Sequence, residues 1–89
     1  MHYVYLLQSE RDGQFYTGCT RDLEQRIEQH NQGLAPSTKD RRPFRLVYYE
    51  AYRCSEDAFR REKYLKSGMG KRDLRNRLRT SLSMGGLTG

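Results

Sequence analysis

Apolar residues are sparse along this chain, and their spacing follows one of two periods. His2 to Gln8 (HYVYLLQ) alternates and is rich in β-branched and aromatic types, which predicts a strand. Ser9-Glu10-Arg11-Asp12-Gly13 is turn chemistry, with Asp-Gly its strongest signal. Gln14 to Thr20 (QFYTGCT) then returns as a second, antiparallel strand. From about Leu23 to Gln32 the period becomes helical, with Leu23 and Ile27 as its apolar stripe. Thr20 or Asp22 can cap that helix, and Gly33 suits the left-handed position beyond its end.

Leu34 to Pro43 is a polar loop with two prolines and a basic cluster, Lys39, Arg41 and Arg42. Phe44 to Tyr52 (FRLVYYEAY) is a third strand. Ser55 is predicted to cap a helix running to about Ser67, with Glu56 and Asp57 in the first turn, where the helix dipole favours acids. Ala58, Phe59, Glu62 and Leu65 share one face of it. Gly68-Met69-Gly70 is predicted to break the pattern before a last basic helix, Lys71 to Leu82, which carries Leu74 and Leu78. The order β-β-α-β-α-α predicts an α+β domain: a small three-stranded sheet, mixed or antiparallel, with an N-terminal antiparallel hairpin and flanking helices.

Strand alternation puts Tyr3, Tyr5 and Leu7 on one side of the first strand, and Tyr16 and Gly18 on one side of the second. A hairpin loop of two or four residues places Tyr5 and Tyr16 on the same face; a three-residue loop would separate them. Gly18 on that side is expected to leave an open space beside Tyr16. Aromatic pairing across a sheet accounts for such tyrosines equally well.

The 89 residues allow one small domain, expected over residues 1–83 with a flexible tail over 84–89. Charged residues make up 31% and the net charge is +6, which suggests a polyanionic partner, most often nucleic acid. No apolar run approaches the roughly 20 residues of a membrane span, and a basic leader is lacking, so the expected location is cytoplasmic with no membrane partner. Cys19 and Cys54 fit neither a disulfide framework nor a zinc cluster, and read as two buried, reduced thiols ahead of a single bridge between them.

Within the first helix Arg26 and His30 lie four residues apart, one above the other at the border of the core stripe. Such a pair can aim polar heads along a sheet face, or simply join a surface with Glu24 and Glu28. Glu62 is costly beside Phe59 and Leu65 unless it is paired or binds a metal, and Arg60, Arg61 and Lys63 are candidate partners.

Taken in order, these residues resemble the GIY-YIG nuclease family over nearly the whole chain. Tyr3-Val4-Tyr5 stands where that family has its first triplet, with tyrosine in place of the glycine. Tyr16-Thr17-Gly18 looks like the second. Arg26 stands where the family's helical arginine does, His30 matches a histidine of some branches, and Glu62 resembles its metal-binding glutamate. Asn76 is a candidate for a further family asparagine, at slightly long spacing. The chain is most similar to small single-domain bacterial members that resemble the excision-repair nuclease subunit.

The resemblance implies a structure-preferring endonuclease acting on nucleic acid, DNA ahead of RNA. Glu62 would be the sole protein ligand of one Mg²⁺ or Mn²⁺, and Arg26 would hold the scissile phosphate. Tyr5, Tyr16 or His30 would activate the water. A free phenol titrates near 10, so a tyrosine base would need its pKa lowered. Lys39, Arg41, Arg42, Lys63, Lys66, Lys71 and Arg72 could track the phosphate backbone, giving affinity without sequence readout. A protein partner would then supply specificity. The competing readings are a non-catalytic nucleic-acid-binding module on the same fold and a protein-interaction domain with a basic surface.

Overall fold

The alternating segments pair as their periodicity predicts. In the computed structural model, which describes residues 1–82, three strands form one antiparallel sheet. They are β1 (His2–Ser9), β2 (Phe15–Thr20) and β3 (Phe44–Tyr52), in the order β2-β1-β3. The predicted tail over 84–89 and the boundary at 83 lie outside the described residues. In the β1–β2 register Tyr5 faces Gly18 and Leu7 faces Tyr16. The Ser9 amide donates to the Gln14 carbonyl at 2.9 Å, so the connection is the four-residue loop 10–13. Tyr5 and Tyr16 therefore share a face, one residue pair apart.

Three helices follow: α1 (Leu23–Asn31), α2 (Ser55–Leu65) and α3 (Gly68–Arg77). At the start of α1 the Asp22 carboxylate accepts from the Gln25 amide. At its end the Gly33 amide donates to the His30 carbonyl and the Leu34 amide to that of Gln29. This is the paired termination that needs a left-handed residue, and Gly33 supplies it with φ +81°. The strict alternation of β1 sorts the core into two layers. Tyr5, Leu7 and Phe44 pack with Tyr16, Leu23 and Ile27 under α1. Val4 and Leu6 face the other way, onto Ala58, Leu65, Leu74 and Leu78 of the α2–α3 layer. The sheet is the middle layer, and neither set of apolar residues would be covered without its helices.

Several expectations are corrected. Ser55 does not cap α2; it is the first helical residue, and the cap position is Cys54, which makes no side-chain bond. Phe59 is exposed, because the inward stripe of α2 runs through Ala58 and Leu65, and Phe59 lies about 100° around from Ala58. Gly68-Met69-Gly70 does not break the last helix but begins it: the Ser67 hydroxyl accepts from the Gly70 amide. A Cβ at Gly70 would meet the backbone of Tyr64 and Leu65, so glycine there lets α3 pack against the end of α2. α3 ends at Arg77, with Leu78 its cap, and residues 79–82 resume a helical turn. The loop after α1 contains a single 3-10 turn, Lys39–Arg41. Cys19 is half-buried and Cys54 exposed, both free thiols, rather than two buried ones.

Candidate active site

The centre of the α1-side layer is polar. His30 is completely buried, although its spacing in sequence placed it only at the border of the core. Its Nε2 lies 3.0 Å from the Tyr5 hydroxyl and its Nδ1 lies 2.7 Å from Thr38 Oγ1. The Thr38 hydroxyl is itself directed at the Ala35 carbonyl, at 3.4 Å. With that proton so placed, Thr38 Oγ1 accepts from His30 Nδ1–H, and His30 Nε2 accepts from the Tyr5 hydroxyl. The chain Tyr5–His30–Thr38–Ala35 is then fully satisfied with a neutral imidazole and a neutral phenol.

Electrostatics reinforce that state. Burial pushes the Tyr5 phenol up to about 12; the adjacent Arg26 guanidinium works against the rise, while Tyr16 and Glu62 add to it. Burial and then the Arg26 charge push the His30 imidazole down to about 4. In the free protein the shared proton therefore stays on Tyr5.

Around this pair the structure gathers most of the residues singled out in the sequence. The Tyr16 ring lies 5.0 Å from that of His30 and 6.4 Å from that of Tyr5, and is only half-buried. Arg26, also half-buried, donates to Gln29 Oε1 at 3.1 Å. Gly18 does not open a space beside Tyr16. A Cβ there would collide with the Tyr5 hydroxyl and stand 2.5 Å from its Cζ, so the absent side chain is what lets the Tyr5 ring lie across β2.

Glu62 comes from the opposite helical layer. Its charge raises both Tyr5, on one face, and Cys19, on the other, after burial in each case. Its partner is Lys66 at 3.1 Å, not an arginine. Arg61 instead forms a two-pronged pair with Glu50, at 2.9 and 3.0 Å. The Tyr48 and Tyr52 hydroxyls also donate to Glu50, at 2.6 and 2.5 Å, and Arg61 lies over the Tyr64 ring. Burial alone would raise Glu50, but these four donors hold its carboxyl below the usual range.

The other basic residues divide. Arg41 is half-buried, bonded to Asp12 at 3.0 Å and stacked on Phe44, and Arg42 donates to the Lys39 carbonyl. Those contacts anchor the loop. Lys39, Lys63, Lys71 and Arg72 are exposed, and so is Asn76 on α3.

Sequence reasoning missed Thr38 and the Glu50–Arg61 pair. A carboxylate inside the apolar strand FRLVYYEAY was a usable signal for Glu50. Thr38, in a polar loop, gave none. Asn31 holds α1 to β3 by donating to the Phe44 carbonyl (3.1 Å) and accepting from its amide (2.7 Å), a tie across 13 residues that local spacing does not signal.

Comparison with known proteins covers the span that holds these residues. A family model described as the GIY-YIG catalytic domain matches residues 1–76. UPF0213 proteins of Staphylococcus aureus strains Mu3 and Mu50 are each 41% identical over 75 residues, covering 83% of this chain and 90% of theirs. The solution NMR structure of the UPF0213 protein BH0048 from Bacillus halodurans is 43% identical, with a TM-score of 0.52, over 82% of this chain and 80% of that one. Both triplets, the helical arginine and the α2 glutamate fall within the matched span, and the chain belongs to the GIY-YIG family.

Proposed function

We propose that this protein is a cytoplasmic, divalent-metal-dependent endonuclease that hydrolyses phosphodiester bonds in nucleic acid, DNA ahead of RNA, choosing by structure rather than sequence. One observation carries the reading. Tyr5 and His30 share a buried hydrogen bond, the Tyr16 ring packs on His30, Arg26 lies beside the Tyr5 hydroxyl, and the charge of Glu62, a carboxylate from α2, is felt at Tyr5. A domain that only bound phosphates would gain nothing from a carboxylate at that place.

The donor set suits Mg²⁺ or Mn²⁺. No group of three or more His, Cys, Asp or Glu could cage an ion among the described residues. Glu62 instead offers one hard oxygen ligand at a partly open position, the arrangement in which Mg²⁺ keeps waters and takes phosphate oxygens. When bound, such an ion supplies Lewis-acid neutralisation of the leaving oxygen. Arg26 is a permanent planar donor suited to a non-bridging phosphate oxygen.

Tyr16 is the group we assign to activating the water. It is half-buried, whereas Tyr5 and His30 are sealed from solvent. The Tyr5–His30–Thr38 chain fixes the floor on which Tyr16 and Arg26 are set. The exposed Lys39, Lys63, Lys71 and Arg72 give general affinity for the backbone, and a protein partner supplies what selectivity they lack.

The test incubates single-stranded, branched, nicked and fully paired DNA, and matching RNA, with Mg²⁺ or Mn²⁺. Glu62→Ala is expected to abolish cleavage while leaving metal-free binding intact. Tyr16→Phe should slow cleavage roughly 10²–10⁴-fold, the usual weight of a general base. Binding without cleavage of any substrate would point to the non-catalytic module. An active Tyr16→Phe protein beside a dead Tyr5→Phe protein would move the base to Tyr5.

A further inference from the structure

On the α2–α3 side of the β2 edge, away from the Tyr5–His30 centre, lies a cleft of about 260 Å³. Its floor is apolar, built from Phe15 and Leu74 among others, and its rim carries Lys66, Lys71 and Arg75, with no acidic residue lining it among the described residues. Lys66 stands in its lining and is the partner of Glu62, which ties the cleft to the proposed site. Among the described residues β2 is an edge strand, so one side of its backbone has donors and acceptors without strand partners.

We infer that this cleft receives one unpaired nucleobase of the substrate, next to the phosphate held at the Tyr16–Arg26–Glu62 site. The inference rests on the nuclease reading and names its substrate class: nucleic acid with an extrahelical or single-stranded nucleotide. Three parts of the cleft match three parts of a nucleotide. The Phe15–Leu74 floor matches an aromatic ring system, the β2 edge matches the hydrogen-bonding rim of a base, and the three cations match the flanking phosphates. That combination of apolar or aromatic platform and cationic groove is how proteins hold unpaired strands. The volume lies below the roughly 300–1,000 Å³ of ordinary ligand clefts, so it fits one base rather than a stack. A paired base cannot enter without leaving its helix, and that cost is least where the base is already unpaired.

The test uses the full chain carrying Glu62→Ala, in EDTA, so that binding is read without cleavage. Three hairpins of equal length are compared: fully paired, with a one-nucleotide 2-aminopurine bulge, and with an abasic bulge. The 2-aminopurine bulge should bind about tenfold more tightly than either of the others, the scale of one stacked base. Its fluorescence should change on binding. Lys71→Ala and Arg75→Ala, both at exposed positions, should each lower the salt-dependence slope by roughly 0.7–0.9. Equal affinity for all three hairpins, or unchanged fluorescence, overturns the cleft assignment. The unmutated protein with the same hairpins in Mg²⁺ tests the nuclease reading separately: bulge-selective binding without cleavage sinks only that reading, and cleavage without bulge selectivity sinks only this one.

Discussion

Replacing Gly18 by alanine tests the most sharply defined contact in the site. The new Cβ would stand 2.5 Å from Tyr5 Cζ, and nearer still to its hydroxyl. Non-bonded carbons rest at roughly 3.5–4.0 Å, so the ring must yield by about 1 Å. It has little freedom to do so, being 2% exposed and tied to His30, which is itself tied to Thr38. Overpacking of this kind costs about 1–3 kcal/mol, and disturbing the buried hydrogen bond adds about 1. The stiffer unfolded chain of alanine returns up to about 1 kcal/mol. The expected net loss is near 2 kcal/mol, or a fall of roughly 8–16 °C in Tm for a domain of this size. Urea unfolding followed by circular dichroism measures it. In a Tyr5→Phe background, where the hydroxyl is gone, the penalty should shrink by about 1 kcal/mol. Stability of Gly18→Ala within 0.5 kcal/mol of the parent, or strict additivity with Tyr5→Phe, would refute the argument.

Three further outcomes follow from the polar contacts. His30 is held near 4 in the fold and titrates near 6.5 when unfolded, so between those values the unfolded chain binds the extra proton. Its contribution, up to about 3 kcal/mol, is complete above pH 6.5 and lost as pH falls toward 4; urea midpoints from pH 7.5 to 4.5 should decline, and His30→Gln should flatten that slope. Thr38→Val leaves His30 Nδ1–H without an acceptor and should cost about 1–3 kcal/mol by the same assay, while Thr38→Ser stays near the parent; equal losses would discount the hydrogen bond. Arg61→Met should cost about 2–3 kcal/mol by stranding the Glu50 carboxylate, with part of the loss recovered in the Glu50→Gln, Arg61→Met double variant. No recovery there would mean that the lost Tyr64 stacking, not the charge, carries the cost.

The sequence by itself determined the elements and much of the cast. Alternation in HYVYLLQ and FRLVYYEAY fixed strands and faces, while the four-residue loop seen in the structure chose the register that puts Tyr5 and Tyr16 on one face. Gly33 marked the end of α1, because few other residues tolerate a positive φ. These are local properties, set by period, turn chemistry and backbone sterics. The helix starts were less legible. Ser55 and Gly68-Met69-Gly70 suggest a cap and a break, but Ser55 is the first residue of α2, and Gly70 lets α3 begin packed against the end of α2.

What only the tertiary structure decided is which groups share a low-dielectric space. Helical spacing put His30 near the core, yet it is completely buried and its Nδ1 is satisfied by Thr38, from a loop whose path no short-range pattern encodes. Gly18 read as empty room, and became the seat of the Tyr5 ring once β1 lay beside it. Glu62 was expected to find an arginine. Instead Glu50 arrived from β3 and took Arg61, and Glu62 pairs with the exposed Lys66 one turn along its own helix. Charge partners are chosen by three-dimensional distance and desolvation, and neither is a function of spacing along the chain.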